Sequence, residues 1–146
     1  MGGTIDSKAH LFATLLVLGL VVVVAEPPVS TPILVIVGLV LGVGIDADHF
    51  PLARLNRGDW TPLHRCVRQP SIVFLDQDAI FEPGDVGARQ RVVSHVVLGG
   101  LALGGLSVLN RTLVLVGALV LVVHLLMDGV YDTWRKPSAD GRSTNP

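Results

Sequence analysis

The chain has 146 residues, half of them apolar and 16% charged, with a formal net charge of −1 and a mean hydropathy of +0.61. That length suits one domain, the charge content is too low for an ordinary soluble one, and a balance near zero removes the basic footprint of nucleic-acid binding. The single cysteine, Cys66, excludes an internal disulfide and a thiolate zinc site and is read as a free thiol.

Residues 1–9 are polar, with Ser7 as the expected N-cap and Lys8 as the only base. From His10 to Ala25 everything except His10 and Thr14 is apolar or small. That makes about 24 Å of helix at 1.5 Å per residue, close to the roughly 30 Å of a hydrocarbon core. A first helix over residues 9–25 is predicted. The same stretch, ending Val23-Val24-Ala25 before Glu26, also has the shape of a secretory signal cleaved after Ala25, which intact-mass measurement distinguishes. Glu26-Pro27-Pro28-Val29-Ser30 is a turn, because adjacent prolines stop a helix. Thr31 then offers an N-cap and Pro32 suits the first helical position, so a second helix is predicted over 32–48. Its apolar part, Ile33 to Ile45, is short for a crossing. It must continue helically through Asp46 and Asp48 or lie in a thinned or protein-lined region. Gly38 and Gly42 give it a small-xxx-small face for close approach of a neighbour.

Residues 50–85 form the long hydrophilic stretch, mixing Arg54, Arg57, Arg65 and Arg68 with Asp59, Asp76, Asp78, Glu82 and Asp85. It reads as an extramembrane loop, with a helix start at Thr61-Pro62, membrane-surface residues at Ile72 to Leu75 and at Ile80-Phe81, and Trp60 as an interface anchor. Arg57-Gly58-Asp59 is loop chemistry without adhesive meaning. Asp85 is the expected cap of a third helix over 86–109, rich in glycine at Gly99, Gly100, Gly104 and Gly105. Asn110-Arg111 is a hairpin turn into a fourth helix over 112–132, followed by the aromatic and basic belt of Tyr131, Trp134, Arg135 and Lys136. The tail from Pro137 to Pro146 has the composition of a disordered segment.

The expected fold is therefore all-α, one domain over 1–136: an integral membrane bundle of four transmembrane helices with a long loop between the second and third. Four crossings put both termini and the loop on one side with ten of the eleven basic residues, leaving Arg111 on the other. By the positive-inside rule the chain is a multi-pass protein of the cell membrane, with termini and loop cytoplasmic and the lipid bilayer as its first partner.

The ionisable residues of the four runs fall at one depth. His10 opens the first; Asp46, Asp48 and His49 close the second; Arg91 and His95 open the third; His124 and Asp128 end the fourth. His124 and Asp128 are four apart and share a helix face, as do Arg91 and His95. An unpaired charge in a membrane costs several kcal/mol, so such a layer is a candidate site. Imidazole with carboxylate suits a divalent cation, zinc or manganese. The candidate metal residues are His10, Asp46, Asp48, His49, His95, His124 and Asp128. The alternative is a non-catalytic membrane protein in which these groups form a structural polar or metal-binding cluster. Metal transport is disfavoured because the runs carry no continuous polar path.

In their order these residues resemble the membrane-bound metal-dependent hydrolases of the bacterial inner membrane associated with LexA control. Ala9-His10-Leu11 is similar to that family's early histidine, and Ile45-Asp46-Ala47-Asp48-His49 to its Pro-Asp-x-Asp-His motif, with Ile45 for proline. Gln90-Arg91-Val92-Val93-Ser94-His95 is similar to its His-Arg-x-x-Thr-His motif, with Gln90 for the first histidine and Ser94 for threonine; His124-Leu125-Leu126-Met127-Asp128 is similar to its late His-x-x-x-Asp. Gln90 removes one ligand unless His64 supplies it from the loop. The resemblance implies metal-dependent hydrolysis at the cytoplasmic membrane face, with Asp48 or Asp128 as general base or as orienter of a histidine, and Arg91 against a phosphate-like oxyanion. Location alone suggests a small-molecule or lipid-like phosphoester substrate.

Overall fold

The computed structural model describes residues 7–135. Their regular structure is helical, with no strand among the described residues: α1 (Ser7–Ala25), α2 (Thr31–Gly42), a 3-10 turn (Gly44–Asp48), α3 (His49–Arg57), α4 (Thr61–Arg68), α5 (Ile72–Leu75), a second 3-10 turn (Gln77–Ala79), α6 (Ala88–Ser107) and α7 (Arg111–Arg135). The tail expected to be disordered and the belt residue Lys136 lie outside the described residues.

Helix α1 buries only His10, Thr14 and Leu18, a stripe at a spacing of four. Phe12, Leu16, Leu20 and Val23 on its other faces are between 64% and 77% exposed. An apolar helix that buries one stripe needs an apolar medium for the rest. Ser7–Ala25 and Arg111–Trp134 are long and apolar enough to cross a membrane, and α2 with residues 44–57 makes a third candidate if that pair, bent by 40°, is one span. The expected count of four is thus met only in part. Helix α6 opens with Arg89, Arg91 and His95, which lowers its hydropathy, and α2 stops after 12 residues, about 18 Å.

The core lies where α7 packs on α1, α2 and α6, with Leu18, Leu34, Leu41, Val116, Val120 and Leu121 at its centre. The small-xxx-small face of α2 is a real contact. A Cβ at Gly42 would press on Thr14 and come within 2.9 Å of Val120 Cγ1, and one at Gly38 would meet the Leu18 side chain. On α6 only Gly99 is used this way, against Leu121; Gly100, Gly104 and Gly105 have nothing within 4 Å.

Helix boundaries differ from expectation in two places that matter. The second helix does not run through residue 48: Val43 leaves helical geometry (φ −134°, ψ −44°), and Gly44–Asp48 wind as a tighter turn before α3. Gly42 and Gly44 on either side of a β-branched residue make this the weakest place in the run. Ser30, rather than Thr31, caps α2. Asp85 does not cap α6 either; Gly87 does, its N–H donating to Gln90 Oε1 at 3.0 Å. Asp85 is buried instead, accepting Arg57 Nη1 and the Glu82 N–H, each at 2.8 Å.

Residues 50–85, expected as a loop, are largely helical and folded back on the bundle. Helix α3 ends at Gly58, whose φ of +87° is the left-handed C-terminal signal, so Arg57-Gly58-Asp59 is a helix stop. Thr61 opens α4 as expected, its N–H bonded to Asp59 Oδ1 at 2.8 Å. Arg57 and Arg65 both grip Glu82, and Asn56 exchanges two hydrogen bonds with Gln90. These ties hold the segment 72–82 over the end of the bundle where α1 begins and α2 stops.

Candidate metal centre

The break after Gly42 positions the site. Tightening the chain over Gly44–Asp48 carries Asp46, Asp48 and His49 inward beneath α6 and α7. His10 comes from the second turn of α1, His95 from α6 one turn after Arg91, and His124 and Asp128 from successive turns of α7. His10, Asp48, His49, Arg91, His95, His124 and Asp128 are each no more than 8% exposed.

Asp46 Oδ1 is the hub. It stands 3.4 Å from His124 Nε2, 3.6 Å from His95 Nε2 and 3.9 Å from His49 Nε2. These separations exceed ordinary N–H···O bonds of about 2.7–3.2 Å. They fit two donors on one cation: ligands about 2.1 Å from a tetrahedral zinc sit roughly 3.4 Å apart. Asp128 is a second hub, at 3.3 Å from His10 Nε2, 3.6 Å from His95 Nδ1 and 3.7 Å from His124 Nε2. Three overlapping sets, His10 with Asp46 and His124, Asp46 with His49 and His95, and His95 with His124 and Asp128, each bring their ligand atoms within 4.8 Å of one another.

Several of these atoms are buried with no hydrogen-bond partner: His10 Nδ1, Asp48 Oδ2, His49 Nε2, His95 Nδ1, His124 Nε2 and Asp128 Oδ2. One such orphan costs about 1–3 kcal/mol, and a cation is one kind of partner that could satisfy several of them together. The His124 ring suits such a partner. Its Nδ1 is 3.0 Å from the Gly42 carbonyl, an acceptor only, so Nδ1 carries the proton. In the neutral ring the Nε2 lone pair then faces Asp46, the state a cation requires. With their nitrogen and oxygen donors, these buried groups could hold a metal ion.

The sequence-predicted residues do not all play one part. His10, Asp46, His49, His95, His124 and Asp128 gather. Asp48 sits beside them, its Oδ1 3.2 Å from His95 Nε2, and orients that ring. Arg91 is directed at Asp128 (Nε to Oδ2, 3.3 Å) and Asp132 (Nη2 to Oδ2, 2.6 Å), so its guanidinium is spent inside the protein. Gln90 lies at the surface with Asn56, and His64 is exposed on α4, outside the three ligand sets.

Sequence reading missed three contributors. The Gly42 carbonyl that orients His124 is free only because the helix breaks there, for which Gly42-Val43-Gly44 was the available sign. Asp132 as the partner of Arg91 was signalled by its four-residue spacing from Asp128. The third is a cavity of about 260 Å³ against the cluster, walled on its outer side by Val73, Gln77, Ile80 and Phe81. Compared with protein-family models, curated proteins and solved structures, the chain matches none.

Proposed function

We propose that the protein is a membrane-embedded metal-dependent hydrolase whose divalent-metal site lies at the cytoplasmic face of a four-span bundle, α6 completing the count. The reading rests above all on Asp46 Oδ1, which faces three imidazole nitrogens at 3.4–3.9 Å and bonds to none. Support for membrane-bound hydrolysis comes also from the ordered motif resemblance around His10, Asp46, His95 and His124, and from a cavity reaching the same carboxylate.

His10, Asp46, His49, His95 and His124 would hold the ion or ions, zinc or manganese. A cation there supplies a Lewis acid that polarises a phosphoryl oxygen and acidifies water. The chain's own groups do the rest. The Gly42 carbonyl fixes the His124 ring from behind, while Asp48 Oδ1 lies against the same His95 Nε2 that faces Asp46. Asp128, which lines the cavity, would be the general base that takes a proton from water. Water adds to phosphorus, the P–O bond to the alcohol breaks, and the proton passes to the departing alkoxide. Arg91 takes no part beyond pairing with Asp128 and holding it in position.

The test is metal content. Protein purified in mild detergent and supplied with zinc or manganese should retain the ion stoichiometrically, and Asp46→Ala and His124→Ala should lose it together with hydrolysis of a generic phosphodiester. Retention without hydrolysis makes the protein a metal binder. No metal, with thermal stability unchanged by metal, would leave only a structural polar cluster.

A further inference from the structure

The cavity beside the metal centre has two unlike ends. At its inner end are His10, Asp46, His49 and Asp128, the polar groups of the cluster; Lys8 stands in its wall. Apart from Ser7 and Gln77, the remainder is apolar, chiefly Leu11 from α1, Val43 and Phe50 from the α2 break and α3, and Val73, Ile80 and Phe81 from the folded-back segment. That outer wall is fastened at both ends, by the Ser7 N–H bonded to Gln77 Oε1 at 2.5 Å and by the Arg57 and Arg65 grip on Glu82. A site for a wholly polar phosphoester would not need such a wall, since six apolar side chains around a hydrophilic ligand raise the cost of desolvating it. At about 260 Å³ the space is near the lower end of small-molecule sites, about 300–1,000 Å³. It suits a head group with a few carbons better than two acyl chains.

We propose that this cavity binds an amphiphile, with an anionic phosphate head at the His/Asp cluster and the first carbons of its chain along Leu11, Val43, Val73 and Phe81. The proposal rests on the hydrolase reading for the presence of metal and deepens it by naming the substrate class. Phosphate alone could come from a free anion or from a lipid head, and chain length separates them.

The probes are inorganic phosphate and methyl-, butyl- and octylphosphonate, which cannot be hydrolysed. They are titrated calorimetrically into the metal-loaded protein in bilayer nanodiscs, with the heat from protein-free nanodiscs subtracted. Each methylene that enters the cavity should tighten binding by about fourfold, from methyl to butyl, with a plateau once the cavity is full. Val73→Trp, filling the outer wall, should abolish the chain-length gain while leaving inorganic phosphate affinity unchanged. Leu11→Trp, from the opposite wall, should do the same and guards against local misfolding of α5. Equal affinity for phosphate and all three phosphonates, or binding of none, overturns the proposal. A chain-length gain with no hydrolysis of any phosphoester leaves the amphiphile site standing and overturns the hydrolase reading instead.

Discussion

Arg91 shows how a residue's neighbours decide its role. It is 4% exposed, and its two carboxylate partners, Asp128 and Asp132, come from successive turns of α7. A buried pair contributes little net stability when intact, because desolvation offsets the Coulomb gain, but removing one partner strands the other. Arg91→Leu is therefore expected to lower stability by about 3–5 kcal/mol, read as a fall in melting temperature in detergent, with Arg91→Lys intermediate because one ammonium cannot reach both carboxylates with the guanidinium's geometry. An unchanged melting temperature with a raised KM for a phosphoester would return Arg91 to the oxyanion role that its motif suggests. At this scale the identities of the clustered residues were legible in the sequence, since buried ionisable groups in apolar runs have few uses. Their pairings were not, because whether Arg91 turns to a ligand or to Asp132 depends on the rotation of α6 against α7. No single run encodes that rotation.

Helices α1 and α7 were readable from apolar length alone, and the hairpin at Asn110 from its brevity; the bend of α2 and the fold-back of residues 50–85 were not. Both are tertiary outcomes. The α2 break gives up regular helical bonding and gains the approach of Asp46 and His49 to α6, and the fold-back depends on charged residues far apart in sequence meeting. Glu82 carries that second junction. Hydrogen bonds from Arg57 and then Arg65 hold its carboxyl down at about 2, against an ordinary value of 4.5. A depressed folded pKa means that its contribution is full above pH 4.5 and is lost as pH falls through about 2. The group is exposed, so the effect on overall stability is small, yet it can be observed directly. The chain has only two glutamates, Glu26 and Glu82, so carboxyl-labelled glutamate gives two carbon signals. One should titrate near pH 2 in the wild type and move toward 4.5 in Arg57→Gln. A Glu82 signal that titrates near 4.5 in both would mean that the clamp is not formed in solution.

For the whole molecule, the common depth of the His/Asp layer follows from alternating helix direction. Each polar residue lies at the end of its run nearest residues 50–85 or a terminus, so antiparallel packing gathers them with no further instruction. The four crossings proposed above, by α1, α2 with its bent continuation, α6 and α7, would put the His/Asp layer, the folded-back segment and ten of the eleven basic residues on one side, the side that the positive-inside rule would make cytoplasmic. Three crossings would separate the termini and leave the basic residues divided. The native chain carries its own probe, since Cys66 is its only cysteine and lies half-buried on α4. Burial pushes its thiol pKa up, so labelling needs mildly alkaline buffer, about pH 8.5, to supply thiolate. A membrane-impermeant maleimide should then label Cys66 in inside-out vesicles from expressing bacteria and leave it unlabelled in intact spheroplasts. Labelling from the outside would place the basic segment on the far face and remove the cytoplasmic site, while leaving the ligand geometry untouched.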